Sequence, residues 1–166
     1  DGKGLYAQET LWPGNKYHPV YSNDDIRKNT IIAMMSSAMI NFADMNGDSS
    51  SGFSGNLNPD SANILIHRIF HQTLDFFEKH EFYRFRPNND MVDNGYCLAL
   101  TGKEYLIYIE EGSTITVDVE PGQYKAIWIS ARSFSETADT AETGEGGRLI
   151  CPDENEDWFL KLTKMN

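Results

Sequence analysis

The two halves of this chain follow different hydrophobic patterns, and that contrast constrains the fold more than any other sequence feature. Residues 4–80 alternate between strand-like and helix-like segments, which is typical of α/β architecture. Residues 95–163 carry a run of short strand-like segments without helical periodicity, which is typical of all-β architecture. We therefore predict an α/β portion in residues 1–85 followed by an all-β portion in residues 86–166.

The first portion contains two predicted strand–helix units. Strand Leu5–Glu9 precedes a helix that starts at a capping-box pattern formed by Ser22 and Asp25. A second strand, Met39–Ala43, precedes a helix that opens at Asn58. Two such units cannot close an eight-stranded (β/α) barrel. We therefore predict the last two βα units of a TIM-type barrel that is incomplete in this chain.

The second portion contains six predicted short strands separated by turns, several of which contain glycine. They are Tyr96–Thr101, Glu104–Glu110, Thr114–Glu120, Gln123–Ala131, Arg148–Cys151 and Asp157–Thr163. This pattern predicts a small antiparallel β-sandwich. The acidic segment from Ser133 to Gly147 is predicted to be an exposed loop. The aromatic side chains of these strands form either a sugar-binding platform or part of the hydrophobic core. Because sandwich interiors are built from such side chains, the core interpretation is favoured for Tyr105, Tyr108, Tyr124, Trp128 and Trp158.

Charge and cysteine content restrict the partners of the chain. Its net charge of −11 argues against binding to nucleic acid or to anionic membranes, because both require clustered Lys and Arg. No apolar run approaches the ~20 residues of a membrane span. Cys97 and Cys151 are predicted to be free buried thiols, although they could pair if their strands are neighbours.

Several segments together resemble the C-terminal part of apiosidase-like glycoside hydrolases. In the second portion the resemblance is carried by Arg86-Pro87, Tyr96–Leu100, Glu104–Ile109, Tyr124–Trp128, Cys151-Pro152 and Asp157–Leu162. In the first portion it is carried by Gln8-Glu9, Asp25–Lys28 and Ser36–Ala38. One departure is Ile129–Arg132, where the family often has an Asp-Pro-Arg turn and this chain keeps only the Arg.

The resemblance implies a (β/α)₈ barrel glycoside hydrolase followed by a β-sandwich of the type labelled collagen-binding, although nothing in these residues points to collagen. It implies that Glu9 is a catalytic carboxylate at the end of barrel strand seven, whose acid/base partner lies on strand four, outside this chain. No cofactor is expected. The implied location is secreted, periplasmic or at the cell surface.

Two loops are predicted to bind the carbohydrate substrate beside Glu9, because the βα loops of a barrel share one face. Aromatic rings stack on sugar faces, and nearby polar groups orient the hydroxyls. The predicted substrate-binding residues are Trp12, Tyr17, His18, Asp44, Asn46 and Phe53.

No metal site is predicted. The loop from Asp44 to Gly55 begins like an EF-hand, but Ser49 replaces the required Gly and Gly55 replaces the required Glu. His67 and His71 have helical i, i+4 spacing but lack the general base and third ligand of a zinc protease. We interpret both as histidines on the helix surface.

Three hypotheses follow. The first is the C-terminal segment of a glycoside hydrolase that acts on a poly- or oligosaccharide and is inactive without the remaining N-terminal barrel segment. The second is a non-catalytic carbohydrate-binding or protein-interaction sandwich with a structural βα adaptor. The third is an independent small α+β protein. The third is disfavoured because residues such as Ile31, Met35 and Phe42 would then form an exposed apolar patch.

Overall fold

Strand predominates over helix in this mixed α/β protein. A computed structural model describes residues 5–11, 21–42, 64–112, 114–143 and 147–165. These residues contain ten β-strands, two α-helices and two short 3₁₀ turns. Within this part of the chain, no helix has the length and apolar character that would be needed to cross a bilayer.

The chain divides into two units, residues 1–80 and residues 81–166. The first unit contains both α-helices and one parallel pair of strands, and the second unit contains the antiparallel strands. The mixed α/β class agrees with the sequence. The assignments of the first unit to a TIM-type barrel and of the second to a sandwich stay predictions.

The first unit alternates strand and helix, as its sequence pattern predicts. In chain order its elements are β1 (Leu5–Leu11), α1 (Asn23–Met35), β2 (Ala38–Phe42) and α2 (Ile64–Lys79). β1 and β2 pair in parallel, with Leu5 opposite Ala38 and Ala7 opposite Ile40. Parallel neighbours require a crossover connection, and α1 lies in that connection.

The predicted capping box at the start of α1 is confirmed. The Asp25 amide donates to Ser22 Oγ over 3.1 Å, and the Ser22 amide donates to Asp25 Oδ2 over 2.8 Å. Both bonds satisfy backbone donors that the first helical turn leaves without partners. Further along α1, Ile31 and Met35 are fully buried at i, i+4 spacing. The expectation that both would form an exposed apolar patch in a chain without further barrel strands was wrong, because this chain buries them by itself. Their exposure therefore no longer argues against an independent small α+β protein.

The helical spacing of Leu65, Thr73, Phe76 and Phe77 in the sequence predicts a buried face on α2, and the structure confirms it only in part. Thr73, Phe76 and Phe77 are buried, as the helical pattern predicts. The Thr73 hydroxyl donates to the Ile69 carbonyl, which satisfies this polar group inside the helix. Leu65, predicted to lie on the same face, is 46% exposed.

The second unit contains a six-stranded antiparallel sheet and a two-stranded sheet. In chain order the strands are β3 (Arg86–Pro87), β4 (Tyr96–Leu100), β5 (Glu104–Ile109), β6 (Thr114–Val117), β7 (Tyr124–Ser130), β8 (Glu136–Thr143), β9 (Gly147–Ile150) and β10 (Trp158–Lys164). The large sheet has the order β3-β4-β5-β10-β7-β8, and β6 pairs with β9. The C-terminal strand β10 therefore lies at the centre of the large sheet, between β5 and β7.

One buried cluster joins side chains from both sheets of the second unit. Alternate residues of each strand enter it because successive side chains point to opposite faces. Its largest members are Tyr105, Tyr124, Trp128 and Trp158. These residues are at most 8% exposed, and Tyr108, on the opposite face of β5, is fully buried. The expectation that the strand aromatics are core residues is confirmed.

The segment predicted to be an exposed loop between Ser133 and Gly147 contains β8. This prediction was wrong for Glu136–Thr143, which pairs antiparallel with β7. The sequence Glu-Thr-Ala-Asp-Thr-Ala-Glu-Thr lacks large apolar residues, so it gave no hydrophobic alternation. An edge strand can form without such alternation, because the backbone of β7 supplies the hydrogen-bond partners.

Candidate functional site

The candidate site lies where β1 and β2 end. Because the two strands are parallel, their carboxyl ends lie at the same edge of the pair. Glu9 is within β1, two residues before its last residue, Leu11. The strand is thus two residues longer than the predicted Leu5–Glu9.

The pairing of β1 with β2 is irregular at Glu9. Ala7 lies opposite Ile40, whereas Leu11 lies opposite Phe42. Four steps along β1 therefore correspond to two steps along β2, which leaves extra residues around Glu9. Irregular strand pairing includes β-bulges, which are over-represented at barrel rims and beside active sites.

The predicted substrate-binding residues belong to the two segments that follow these strands. Trp12, Tyr17 and His18 follow β1, and Asp44, Asn46 and Phe53 follow β2. All six lie outside the described residues. Their roles, and that of Glu9, stay predictions.

A buried polar network in the second unit was not identified from the sequence. Asp157 is 1% exposed, and its Oδ2 accepts a hydrogen bond from the Tyr108 hydroxyl over 2.9 Å. Its Oδ1 lies 3.6 Å from Nε of Arg132, and its carbonyl accepts from the Ala131 amide. Asp157 therefore ties the turn after β7 to β5. The only sequence signal was an Asp directly before the apolar strand Trp158–Leu162.

A basic pocket lies at the end of the large sheet where β10 finishes. It has a volume of about 490 Å³ and is open to solvent. Its lining includes Lys103, Glu104, Thr163 and Lys164. The Lys164 ammonium also donates to the Pro121 carbonyl over 3.0 Å. No local sequence pattern indicates this pocket, because Lys103 and Lys164 are 61 positions apart along the chain.

A second, acidic depression of about 610 Å³ is lined by Glu111, Gly112, Glu154 and Asn155. The side-chain amide of Asn155 donates to Asp153, so this loop is held by its own hydrogen bonds. Within the described residues, no three His, Cys, Asp or Glu side chains are grouped closely enough to hold a metal ion.

The two cysteines are not suited to nucleophilic chemistry. Both are free and buried, and both belong to the core cluster of the second unit. Burial raises the pKa of the Cys97 thiol to about 12 and also raises the pKa of Cys151. A thiol that stays protonated is a poor nucleophile.

Comparison with solved structures identifies proteins of similar fold. A glycoside hydrolase family 5 protein from Bacteroides vulgatus ATCC 8482 superposes with a TM-score of 0.69 over 98% of this chain and 42% of its own, at 11% identity. A second structure, described as a glycoside hydrolase, superposes with a TM-score of 0.65 over 97% of this chain and 40% of its own, at 10% identity. No family model and no curated protein matches the sequence.

These similarities show the fold. The chain has the architecture of a part of these glycoside hydrolases and spans about two fifths of their length. At 10–11% identity, such a similarity does not transfer catalytic residues or substrates.

Proposed function

We propose that this chain is the C-terminal segment of a glycoside hydrolase that cleaves glycosidic bonds in a poly- or oligosaccharide. In this proposal, residues 1–85 contribute the last two βα units of a TIM-type barrel. Residues 86–166 contribute an accessory β-sandwich. The proposed family is that of the apiosidase-like hydrolases, and the support for this finer proposal is the set of sequence motifs that resemble them.

The observation that carries the proposal is the coverage of the structural match. Nearly the whole chain, 98%, superposes on 42% of one glycoside hydrolase, so both units match together. A β-sandwich module with an unrelated adaptor has no reason to match one enzyme along its full length. The parallel β1–β2 pair supports the same proposal, because two parallel strands are part of a larger sheet in most folds.

Glu9 is the proposed catalytic carboxylate, acting as nucleophile or base. Its position near the carboxyl end of β1 fits the edge at which barrel enzymes hold their catalytic groups. The irregular pairing between Ala7 and Leu11 supports the choice of Glu9 over other carboxylates of the first unit. Glycosidases need a second carboxyl group about 5–10 Å away, and we propose that it lies on the remaining barrel segment.

The partners in this proposal are a carbohydrate substrate and the N-terminal barrel segment, on the same polypeptide or on a second chain. The substrate is held by the loops after β1 and β2, with Trp12 as a stacking surface. We propose a secreted, periplasmic or cell-surface location, in line with the apiosidase-like resemblance and with polysaccharide degradation.

Replacement of Glu9 tests the proposal directly. In the complete protein we expect Glu9→Gln to lower the rate of reducing-sugar release from a panel of polysaccharides by at least about a thousandfold, because glycosidic cleavage fails without one of its two carboxyl groups. Glu78→Gln is the matched control. Glu78 is an exposed residue of α2, and its replacement should leave the rate unchanged.

The alternative is a non-catalytic carbohydrate-binding or protein-interaction module. It would be favoured if Glu9→Gln left turnover unchanged or only weakened substrate binding. Circular dichroism of both variants separates a lost catalytic group from a lost fold.

A further inference from the structure

Lysines gather at one end of the second unit, where β5 and β7 begin and β10 ends. Lys103 lies in the turn before β5, Lys125 is the second residue of β7, and Lys164 is the last residue of β10. The chain as a whole carries a net charge of −11. Three of its 14 Lys and Arg residues therefore share this end of the sheet.

Two of these lysines line the same pocket. Lys103 and Lys164 line the basic pocket of about 490 Å³, together with Glu104 and Thr163. Across the described part of the chain, neither lysine lies within ion-pair distance of a carboxylate. The Lys164 ammonium donates to the Pro121 carbonyl and has three N–H donors in all, so donors remain for a ligand. Two ammonium groups that are not neutralised by ion pairs and that belong to residues lining one concave site attract an anion.

Two carboxylates offset part of this charge: Glu104 lines the pocket, and the Glu120 carboxylate lies beside Gly102, which also lines it. Arg84 lies outside the pocket lining. Its pKa is raised chiefly by the hydrogen bond and charge of Glu81, and the charge of Glu104 contributes less. The charge of Glu104 is thus partly balanced from outside. Its oxygens and the Thr163 hydroxyl remain suitable acceptors for the hydroxyl groups of a ligand.

The backbone around the pocket is fixed by hydrogen bonds. The Lys164 amide donates to the Lys103 carbonyl over 2.8 Å, which joins the two sides of the pocket. The Lys103 amide donates to the Leu100 carbonyl over 2.9 Å, and the Met165 amide donates to the Gln123 carbonyl. A site whose backbone is held in this way loses little conformational entropy when it binds a ligand.

We propose that this pocket binds an anionic saccharide unit, with its carboxylate or sulfate group between Lys103 and Lys164 and its hydroxyls at Glu104 and Thr163. The volume is within the ~300–1,000 Å³ range of small-ligand sites. The saccharide part of this assignment rests on the proposed function, whereas the anionic part rests on the two lysines. The pocket would be a binding subsite separate from the chemistry at Glu9.

Calorimetric titration of the complete protein tests the assignment. The probes are oligogalacturonate with its methyl ester, and dextran sulfate with unmodified dextran. Each pair keeps the same sugar backbone and differs chiefly in charge, and the two charged members distinguish a carboxylate from a sulfate ligand. We expect binding of at least one charged probe. We also expect its affinity to fall about tenfold in Lys103→Gln and in Lys164→Gln, since each removes a charge-assisted hydrogen bond.

Lys125→Gln is the matched control. Lys125 is exposed, lies opposite Thr163 in the sheet and does not line the pocket, so its loss should leave the affinity unchanged. An equal loss in this variant would overturn the assignment in favour of diffuse attraction. Equal affinity for charged and uncharged probes, or no binding of any probe, would also overturn it.

Hydrolysis is measured in the same variants to separate the two proposals. Loss of probe binding in Lys103→Gln with an unchanged rate on an uncharged substrate would support the pocket as a separate subsite. If the protein still required Glu9 for turnover but bound no probe, the anion-binding assignment of the pocket would be overturned and the proposed hydrolase function would stand.

Discussion

The Asp157 carboxylate is the most buried charged group described in the second unit. It is 1% exposed and accepts from the Tyr108 hydroxyl, which is itself fully buried. A buried carboxylate is costly unless hydrogen bonds compensate for its lost hydration. At this position, hydrogen bonding decides stability more than hydrophobicity does.

Tyr108→Phe should therefore destabilise the protein. It removes the hydroxyl that donates to Asp157, and we expect a loss of about 1–3 kcal/mol in the free energy of unfolding, measured by urea denaturation. Tyr83→Phe is the control. Tyr83 is 62% exposed, and its replacement should change stability by less than about 0.5 kcal/mol. Similar losses in both variants would contradict the importance of the buried network.

The thiols give a second prediction at the scale of single residues. Because burial raises the pKa of Cys97 to about 12, almost no thiolate forms at mildly alkaline pH. We expect labelling of native protein by a thiol-specific reagent to be at least about a hundredfold slower than labelling in urea. Rapid labelling of Cys97 in folded protein would show that the core of the second unit opens readily.

At the scale of secondary structure, the start of α1 depends on Ser22. The Ser22 hydroxyl and backbone amide hydrogen-bond to the Asp25 carboxylate, which lowers the pKa of Asp25 below its ordinary value of 3.8. We expect Ser22→Ala to cost about 1 kcal/mol of stability near neutral pH. The measurement is urea denaturation of the complete protein.

The same cap gives a pH dependence with a defined sign. Because the pKa of Asp25 is lower in the folded state, ionised Asp25 favours folding at pH values above its ordinary pKa of 3.8. That contribution is lost as the pH falls through the lower, folded-state pKa. The stability difference between wild type and Ser22→Ala should thus shrink in acid. A difference that stays constant with pH would contradict this coupling.

The turn before β4 requires glycine at position 95. Gly95 has φ of +87°, and a Cβ atom at this position would overlap the Tyr108 carbonyl oxygen on β5. We expect Gly95→Ala to cost at least about 2 kcal/mol, measured as a change in the denaturation midpoint. Gly112→Ala is the comparison. It also has positive φ, but its nearest atom is the Asn94 side-chain nitrogen at 3.3 Å, so the loss should be smaller.

At the scale of the whole molecule, the described strands are arranged differently in the two units. In the second unit, side chains of both sheets converge on one buried cluster. In the first unit, the described strands form only one parallel pair, and Met39 of β2 is 57% exposed. In the proposed barrel, further strands on the remaining segment would extend this sheet.

The isolated chain should therefore be catalytically inactive. We expect no reducing-sugar release from the 166-residue polypeptide, and activity when it is joined to the N-terminal barrel segment. Intact mass measured under native conditions should reveal a co-purifying fragment of about 250 residues or more, the scale of a barrel. Hydrolysis by the isolated chain, or a folded 18.8 kDa monomer without a partner, would contradict the barrel proposal.

Elements with strong local signals were predicted well. The capping box at Ser22 and the start of β6 at Thr114 depend on neighbouring residues, and both are present in the structure. The edge strand β8 was missed. Its pairing depends on β7 and not on any apolar pattern of its own. The extension of β1 to Leu11 was missed for a similar reason, because strand length depends on the neighbour.

The sequence by itself determined the contrast between an α/β half and an all-β half, since periodicities of 3.6 and 2 are local properties of side-chain order. The tertiary structure decided which residues and strands that are far apart along the chain become neighbours. It placed β10 between β5 and β7, Asp157 against Tyr108, and Lys103 beside Lys164. These arrangements depend on strand order, which a single sequence does not encode in any local pattern. The basic pocket and the buried carboxylate network therefore became visible only in the folded protein.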